Sequence, residues 1–422
     1  MEPEIDVPSF FLCPISLQIM KDPVTVPTGI TYDRDSIERW LSSSSAATCP
    51  VTNQPIPPDA DLTPNIILRR LIQSWCTLNA SHGFERIPTP KPPVTKAQIS
   101  KLIHSAATSS SPHYHQVKCL RQLRSLAKES EANRRCIEQA PGVVDFLASI
   151  VVDFNHDVEL DCIEQFGSSP CDEALSLLHG LQISEPALKA LVNRNCEFIN
   201  SLTRVMQRGT YESRAYAVLI SRSAFRVADP LRIIGVRAGF LAEVVQMVRD
   251  RVSRQATKAA LGLLVELCPW GRNRVKAVES GAVPALVDLL LDSPSESESR
   301  RACELALAAL DVLCQCAEGR AELLKHAAGL AVVSKKILRV STAATEKAVR
   351  ILLSVGKSSA TAAVLQEMLQ IGVVAKLCLV LQVESSARAK DKAREILRLH
   401  ARVWRSSPCV PATLLCSYPA AA

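Results

Sequence analysis

Three cysteines in the first 80 residues are the side chains of that region best suited to metal binding or nucleophilic chemistry. Cys13 and Cys49 each precede a proline, and Cys76 stands alone. A structural zinc ion needs four ligands, which usually include Cys-x-x-Cys pairs. Residues 1–80 contain no histidine and no such pair. The sequence therefore predicts no metal site here and favours a structural role for the three thiols.

Short predicted elements surround these cysteines. Proline-rich segments at 11–27 and 48–58 flank a predicted helix over 33–42. Its candidate N-caps and its apolar residues at helical spacing are Asp33 or Asp35, then Ile37, Trp40 and Leu41. Residues 24–32 read as two short strands joined at Thr28-Gly29, because glycine can take the positive φ of a tight turn.

A second helix is predicted from Asn65 to Leu78, with Pro64 at its start. One apolar stripe is expected to face the core. Its members are Ile67, Leu68, Leu71, Ile72 and Trp75.

Four sequence words in this region occur in a characteristic order. They are Ile5 to Ser16, Asp22-Pro23-Val24, Gly29 to Arg34, and Cys49-Pro50-Val51-Thr52. Their order and spacing over about residues 6–80 resemble the U-box, the zinc-free relative of the RING domain. The resemblance implies a small α+β fold that binds a ubiquitin-conjugating enzyme charged with ubiquitin. It also implies direct transfer of ubiquitin to a substrate lysine, with no catalytic residue, cofactor or covalent intermediate on this chain.

The resemblance assigns roles residue by residue. It implies that an apolar groove for the conjugating enzyme is formed by Ile15, Leu17, Trp40 and Pro50. At Asn53 some U-boxes carry a basic residue that restrains the charged enzyme; an amide donates hydrogen bonds without charge assistance. The residues expected to brace the loops are Cys13, Pro14, Asp22, Pro23, Tyr32, Asp33, Arg34, Cys49 and Asn65.

Residues 81–95 form a proline-dense segment that cannot continue a helix. We expect an extended, semi-rigid linker. A ligand for an SH3 or WW domain is the alternative that this composition leaves open. The phrase Ile87-Pro88-Thr89-Pro90-Lys91-Pro92-Pro93 also resembles the connector of plant U-box proteins with armadillo repeats.

The rest of the chain repeats. A short helix followed at once by an apolar helix recurs with starts at Gly142, Cys196, Gly239, Gly281, Gly329 and Gly372. The intervals are 54, 43, 42, 48 and 43 residues, close to the period of roughly 40–47 in armadillo and HEAT repeats. The words Asn133-Arg134 and Asn273-Arg274 precede two of these starts and resemble armadillo repeats. We predict an armadillo superhelix of about six three-helix units over 96–405, with a capping helix over 384–405 and a disordered tail over 406–422.

The resemblance implies that the third helix of each unit lines a concave groove for substrate, and the apolar helices are interpreted as these third helices. The basic residues on or just beyond them are Arg204, Arg208, Arg249, Arg251, Lys335, Lys336 and Arg339. They could bind an acidic segment of a substrate. The open alternative is that they only complement the dipole at helix C-termini.

Composition limits the function classes. The 422 residues are 47% apolar and 4% aromatic, which favours packed helices in more than one domain. Residues 1–80 hold nine acidic and five basic residues, so 33 acidic and 44 basic residues remain in 81–422. This mild excess does not imply nucleic acid; it fits a basic surface or an acidic partner.

The fifteen cysteines are expected to be reduced and mostly buried, because the acidic N-terminus Met1 to Asp6 has no apolar signal region. Apolar runs are interrupted by charge before the roughly 20 residues that cross a bilayer. We expect a cytoplasmic protein without stable membrane insertion, with nuclear or peripheral membrane association left open.

The leading hypothesis is a U-box ubiquitin ligase whose armadillo domain binds substrate. Family analogy adds self-ubiquitination, a homodimer through the U-box, and regulation of plant stress or immune signalling. The alternative is a non-catalytic armadillo adaptor or transport receptor. A transport receptor would show Trp-x-x-x-Asn arrays on its third helices, and the six starts above contain no tryptophan.

Overall fold

The computed structural model describes residues 6–43, 48–57, 60, 62–82, 84, 94–108, 112–154, 167–194, 196–292, 300–405, 407 and 418. They belong to two compact units, Met1–Ser105 with Arg121–Pro141 and Ala106–Leu120 with Gly142–Ala422. Most of the predicted linker at 81–95 lies outside the described residues.

The N-terminal module contains a three-stranded antiparallel sheet. Its strands are β1 (Pro23–Thr25), β2 (Thr31–Asp33) and β3 (Thr63–Pro64), in the order β2-β1-β3. The predicted hairpin is confirmed, because Gly29 has φ 85° and its N–H donates to Val26 O at 2.8 Å. Strand β3 was not predicted. Pro64 lies opposite Val24 in this strand and not in the following helix.

Two helices pack with this sheet: α1 (Arg34–Ser43) and α2 (Ile66–Leu78). Asn65 caps α2 by accepting from Leu68 N at 3.1 Å. Asp33 and Asp35 were the alternative cap candidates of α1. Asp33 ends β2 and its carboxylate accepts from the N–H groups of Lys21 and Asp22, whereas Asp35 lies in the first turn of α1.

The predicted apolar stripe of α2 is only partly right. Ile72 and Cys76 are buried, and Leu68 and Trp75 are packed at their edges. Ile67 is exposed, as is Leu71 one turn later. The helix contacts a small core along one narrow line, so residues at the margin of the stripe remain in solvent.

One buried cluster holds the module together. Its members are Phe11, Cys13, Met20, Val24, Val26, Tyr32, Ile37, Cys49, Ile56, Ile72 and Cys76. The cluster draws on both proline-rich loops, the sheet and both helices. The loops that precede β1 and follow α1 are therefore anchored in the same core.

The repeat region is built from helices only. It begins with α3 (Lys96–Ala107) and α4 (Pro112–Glu129). Six triplets follow among the described residues: α5 (Glu131–Gln139), α6 (Val143–Val152), α7 (Pro170–Leu181); α8 (Glu185–Arg194), α9 (Cys196–Arg208), α10 (Tyr211–Val227); α11 (Pro230–Ile234), α12 (Ala238–Asp250), α13 (Arg254–Leu267); α14 (Gly271–Glu279), α15 (Ala282–Asp292), α16 (Arg300–Leu313); α17 (Ala317–Lys325), α18 (Gly329–Lys336), α19 (Thr342–Ser358); α20 (Ala362–Gln370), α21 (Val373–Gln382), α22 (Ala387–Leu399).

The apolar helices begin at the predicted starts or within one residue of them. Gly142, Gly281 and Gly372 have φ between 75° and 79°, a left-handed conformation that lets the chain reverse direction between consecutive helices. Cys196 opens its helix without such a glycine.

The numbering of helices within a unit needs correction. Each unit consists of a short helix, an apolar helix and a long helix, so the apolar helices are second and the long helices are third. Within the second compact unit, the long helices α10, α13, α16, α19 and α22 pack on one another in one continuous row.

The Asn-Arg word joins neighbouring helices. The side-chain amide of Asn273 is buried and donates to Ile233 O at 2.7 Å and to Leu267 O at 3.2 Å. Arg274 Nε donates to Cys268 O at 3.2 Å. Carbonyls left unpaired at helix ends are thereby satisfied, which is why this word recurs at the start of a unit.

The C-terminal end also differs from prediction. The expected helix over 384–405 is two helices, α22 and α23 (Ala401–Trp404), which break at His400. Trp404 is fully buried and donates from Nε1 to Leu365 O at 3.2 Å. Tyr418 is buried and donates to Leu397 O at 2.8 Å, so the tail is packed at that position. Residues 406, 408–417 and 419–422 lie outside the described residues.

No single helix among the described residues is long and apolar enough to cross a membrane. Helices α20 and α21 meet that criterion only together, across a bend of 63°.

Candidate functional site

Two loops of the N-terminal module are the same turn built twice. Loop 1 contains Cys13-Pro14-Ile15-Ser16-Leu17-Gln18, and loop 2 contains Cys49-Pro50-Val51-Thr52-Asn53-Gln54. In each loop the N–H of the cysteine donates to the carbonyl of the glutamine. The N–O distance is 2.9 Å in loop 1 and 2.8 Å in loop 2. The fifth residue donates back to the cysteine carbonyl at 2.8 Å in both loops. The internal repeat was visible in the sequence as Cys-Pro-x-x-x-Gln but was not recognised as one turn.

The fifth residue of each loop is left-handed. Leu17 and Asn53 both have φ 56°. Asparagine adopts this conformation more readily than most residues, whereas leucine is strained there. Leu17 gains nothing from packing, because its side chain is 74% exposed. A strained, exposed leucine at a loop tip indicates a contact with another molecule.

Strand β2 holds both loops. The N–H of Asp33 donates to Cys13 Sγ at 3.3 Å. The neighbouring Tyr32 places its hydroxyl 3.0 Å from Cys49 Sγ and accepts from Val51 N at 3.3 Å. Because adjacent residues of one strand bind the two thiols, the two loops lie side by side.

The thiol of Cys49 is an acceptor inside loop 2. Burial alone would raise its pKa, but hydrogen bonds from Thr28, Thr52 and Tyr32 outweigh burial and lower the pKa to about 6. Burial and the Cys49 thiol raise the pKa of Tyr32, so its hydroxyl keeps its proton. Backbone hydrogen bonds lower the pKa of Cys13 in the same way, against the effect of burial. Both sulfur atoms accept hydrogen bonds and thereby stabilise the turns, a role that an oxygen atom more often has.

The lowered pKa of Cys49 predicts that loop 2 loosens as the pH falls. The folded pKa is about 6 and the ordinary value is 9.0, so the thiolate stabilises the folded loop fully above pH 9. This contribution shrinks as the pH falls and is lost below about 6. Amide hydrogen exchange of residues 49–54 in the full chain, corrected for intrinsic rates, should show protection that falls about tenfold or more between pH 8 and pH 6.

Cys49→Ser should remove this pH dependence. Cys76→Ser is the matched control, because burial raises the pKa of Cys76 and its thiol stays neutral over this range. Equal pH slopes in wild type and Cys49→Ser would contradict the role of the thiolate.

Charged residues brace the segment between loop 1 and β1 against the helices. Asp33 Oδ1 accepts from Lys21 N at 2.8 Å and from Asp22 N at 2.9 Å. Asp22 in turn pairs with Arg34 Nε at 2.7 Å and with Arg69 at 3.6 Å. Burial raises the pKa of Asp33 although these N–H groups favour its charged form.

Of the residues expected to brace the loops, Pro23 and Pro14 remain. Pro23 lies in β1 and accepts from Asn65 N at 2.8 Å. Pro14 is exposed in loop 1.

An apolar surface forms where the loops meet α1. Trp40 is 38% exposed, and its Nε1 donates to Thr48 O at 2.9 Å, which ties α1 to loop 2. Ile15 of loop 1 and Pro50 of loop 2 are half-buried. Val51 is 53% exposed and was not predicted. Val51 corresponds in position to Ile15 of loop 1. This correspondence, visible in the sequence, would have identified Val51.

Among the described residues, no three histidine, cysteine, aspartate or glutamate side chains are grouped so that they could hold a metal ion. The three cysteines of the module are buried free thiols. The surface therefore presents apolar contacts and no reactive group.

Comparison with known proteins identifies both parts of the chain. Residues 7–81 match the family described as "U-box domain", and residues 98–420 match "Plant U-box protein ARM repeat region". The chain belongs to the plant U-box family with armadillo repeats.

The U-box protein shares 56% identity over 421 residues with E3 ubiquitin-protein ligase PUB23 of Arabidopsis thaliana, covering 99% of this chain and 98% of that one. Its identity with E3 ubiquitin-protein ligase PUB22 of the same plant is 56% over 441 residues, covering 100% of both. A solved structure from work on a phosphorylation switch between cadherin and β-catenin shares 12% identity, with a TM-score of 0.56 over 79% of this chain and 58% of that chain. This last similarity concerns the fold alone.

The predicted fold class is confirmed: an α+β U-box is followed by armadillo repeats, and the chain is mainly helical. The U-box makes it an E3 ubiquitin-protein ligase, a transferase whose partner is a ubiquitin-conjugating enzyme. The roles of the individual groove residues stay predictions.

The basic residues predicted for substrate binding lie on or just beyond second helices, outside the row of long helices. Arg204 donates to Val152 O at 2.9 Å, and Arg249 donates to Gly281 O at 3.2 Å. Arg251 pairs with Asp292 at 2.8 Å. These three link neighbouring units. The other four are exposed or half-buried: Arg208, Lys335, Lys336 and Arg339.

The U-box has a second exposed apolar surface. On α2, Ile67, Leu71 and Leu78 lie on one helical face and are all more than half exposed. This surface is separate in sequence from the two loops. Exposed apolar residues grouped in this way mark a protein contact.

Proposed function

We propose that the two loops and α1 bind a charged ubiquitin-conjugating enzyme, and that the armadillo repeats hold the substrate to which ubiquitin passes directly. The observation that carries the docking site is the exposed apolar surface of Leu17, Trp40 and Val51, flanked by Ile15 and Pro50. Strand β2 fixes both loops in advance, so little conformational entropy is lost on binding.

The ligase needs no nucleophile of its own. Cys13 and Cys49 are fully buried and their thiols serve as acceptors within the loops, and Cys76 is buried in the core. None of these thiols can reach a ubiquitin thioester. The chain contributes proximity and restricts the charged enzyme to reactive orientations. Asn53 is exposed beside this surface and offers an uncharged amide donor.

Discharge of a charged conjugating enzyme onto free lysine tests the proposal directly. The full chain should accelerate discharge at least about tenfold, since positioning alone supplies several kcal/mol. It should also form ubiquitin chains on itself in the presence of activating enzyme. If the folded protein accelerates the discharge of no conjugating enzyme in a panel, the ligase function is contradicted.

We assign substrate binding to the row of long helices. Arg222 of α10 covers Gly262 of α13: a Cβ there would lie 2.7 Å from Arg222 Cζ. Glu266 lies 3.8 Å from Arg222 Nε. The row of long helices therefore carries both acidic and basic side chains. A surface of this kind can bind a polar substrate segment of complementary charge. No tryptophan occurs on the long helices, which argues against the transport-receptor alternative.

We also propose a homodimer, a cytoplasmic location and a role in plant signalling. The exposed apolar surface of α2 supports a homodimer through the U-box. The mass of the full chain measured by sedimentation tests this proposal.

Eleven described free thiols, nine of them buried, support a cytoplasmic location, and fractionation of tagged protein tests it. Nuclear or peripheral membrane association is compatible with the same thiols. A role in plant stress or immune signalling rests on the family resemblance, and a loss-of-function line tests it.

A further inference from the structure

A group of basic side chains lies between the second helices of the last two repeats. Lys335 lies in the last turn of α18, Arg339 follows that helix, and Lys376 lies on α21. We call these three residues the Lys376 cluster. None of them forms an ion pair with an acidic residue of the described part of the chain.

Lys376 is recessed between the two helices. Its Nζ donates to Ser334 O at 2.7 Å. Burial lowers its pKa, and the charges of Arg339 and Lys335 lower it further. Like charges therefore repel one another at a half-buried position, and an anion bound there would remove this cost.

Apolar side chains complete the surface. Leu379 follows Lys376 by three residues and lies on the same face of α21, and Val383 comes directly after the end of that helix; both are exposed. Leu338, beside Arg339, is also exposed and has φ 60°. Such a left-handed leucine is strained without gaining burial.

We propose that the Lys376 cluster binds a phosphorylated serine or threonine of a protein partner, with apolar residues of the same segment contacting Leu379 and Val383. A phosphate carries nearly two negative charges and three acceptor oxygens, which matches three neighbouring cations better than one carboxylate does. A recessed Lys376 favours a peptide over a membrane, because a flat bilayer contacts protruding side chains.

This site goes beyond the ligase function, since binding there needs neither a conjugating enzyme nor ubiquitin. It also lies on second helices, apart from the row of long helices assigned to substrate. The repeats would thereby distinguish a phosphorylated partner from its unphosphorylated form.

Anisotropy titration of the full chain with a labelled peptide tests the proposal. The probe carries one phosphoserine followed by two leucines, and its unphosphorylated twin is the reference. The phosphorylated form should bind at least about tenfold more tightly, as charge-assisted hydrogen bonds imply. Arg339→Glu should reduce its affinity about tenfold or more. Arg272→Glu is the matched control, because Arg272 is an exposed cation of the short helix α14.

Each other outcome overturns the proposal. Equal affinity for the two peptides, or unchanged affinity in Arg339→Glu, removes the phosphate site. If inorganic phosphate displaces the peptide with an affinity equal to that of the peptide, the site binds free anions and not a phosphorylated segment. Vesicles of phosphatidylcholine and phosphatidylserine that bind through Arg339 while the peptide does not would assign the cluster to a membrane.

Folding and ligase function are separated from this result. Lys376→Gln loses a structural hydrogen bond and can destabilise the repeat, whereas Arg339→Glu changes an exposed side chain. Discharge of the conjugating enzyme should stay at the wild-type rate in Arg339→Glu. A wild-type chain that binds the phosphopeptide but accelerates no discharge would count against the ligase proposal alone.

Discussion

Leu17→Ala in the full chain is expected to slow ubiquitin discharge at least about tenfold, with the fold intact. An apolar side chain at the centre of an interface contributes about 2 kcal/mol or more, which corresponds to roughly thirtyfold in affinity. Leu17 is largely exposed and strained, so its truncation removes little stability from the free protein. Discharge should be measured at a conjugating-enzyme concentration below saturation, where a loss of affinity appears as a loss of rate.

Leu231→Ala is the matched control, because Leu231 is 82% exposed on α11 of the repeats. Its discharge rate should equal that of wild type. Trp40→Ala should also slow discharge, but it removes the hydrogen bond to Thr48 and can move loop 2. Leu17 is therefore the cleaner test. A folded Leu17→Ala protein with wild-type discharge at low enzyme concentration would show that loop 1 is not the docking surface.

Trp404→Ala is expected to lower the unfolding free energy of the repeat region by about 3–5 kcal/mol, the usual cost of emptying a large aromatic site. Trp404 is fully buried, its Nε1 donates to Leu365 O, and its ring lies 4.9 Å from that of His400. It packs on the end of the last repeat that the structure describes, where it covers apolar surface as a following repeat would.

Urea unfolding of the full chain, followed by circular dichroism, measures this effect because the signal is dominated by the repeats. Val403→Ala is the control, since the neighbouring Val403 is half-exposed and should cost well under 1 kcal/mol. A loss below about 1 kcal/mol in Trp404→Ala would mean that α23 does not cap the stack.

The local elements could be predicted because each depends on residues close in sequence. Gly29 defines the hairpin, Asn65 caps α2, and the glycines at 142, 281 and 372 define the turns into apolar helices. Helical periodicity and a repeat of about 43 residues then indicate stacked units. The family assignment rested on the same short words and was confirmed.

Other features depended on partners that the sequence does not reveal. Asp33 looked like a helix cap, but hydrogen bonds to residues 21 and 22 take its carboxylate. Strand β3 has only two residues and forms because β1 offers a free edge. Ile67 and Leu71 fit an apolar stripe, yet the small core reaches only as far as Ile72 and Cys76.

The sequence by itself determined the kinds of module, their order and the residues at their turns, because these follow from local propensity and periodicity. Tertiary structure alone decided which surfaces are open. Lys335, Arg339 and Lys376 are brought together because stacking places residues about one repeat apart side by side. The acidity of Cys49 likewise depends on donors at residues 28, 32 and 52. Charge and accessibility depend on every neighbour in space, and a sequence lists only the neighbours along the chain.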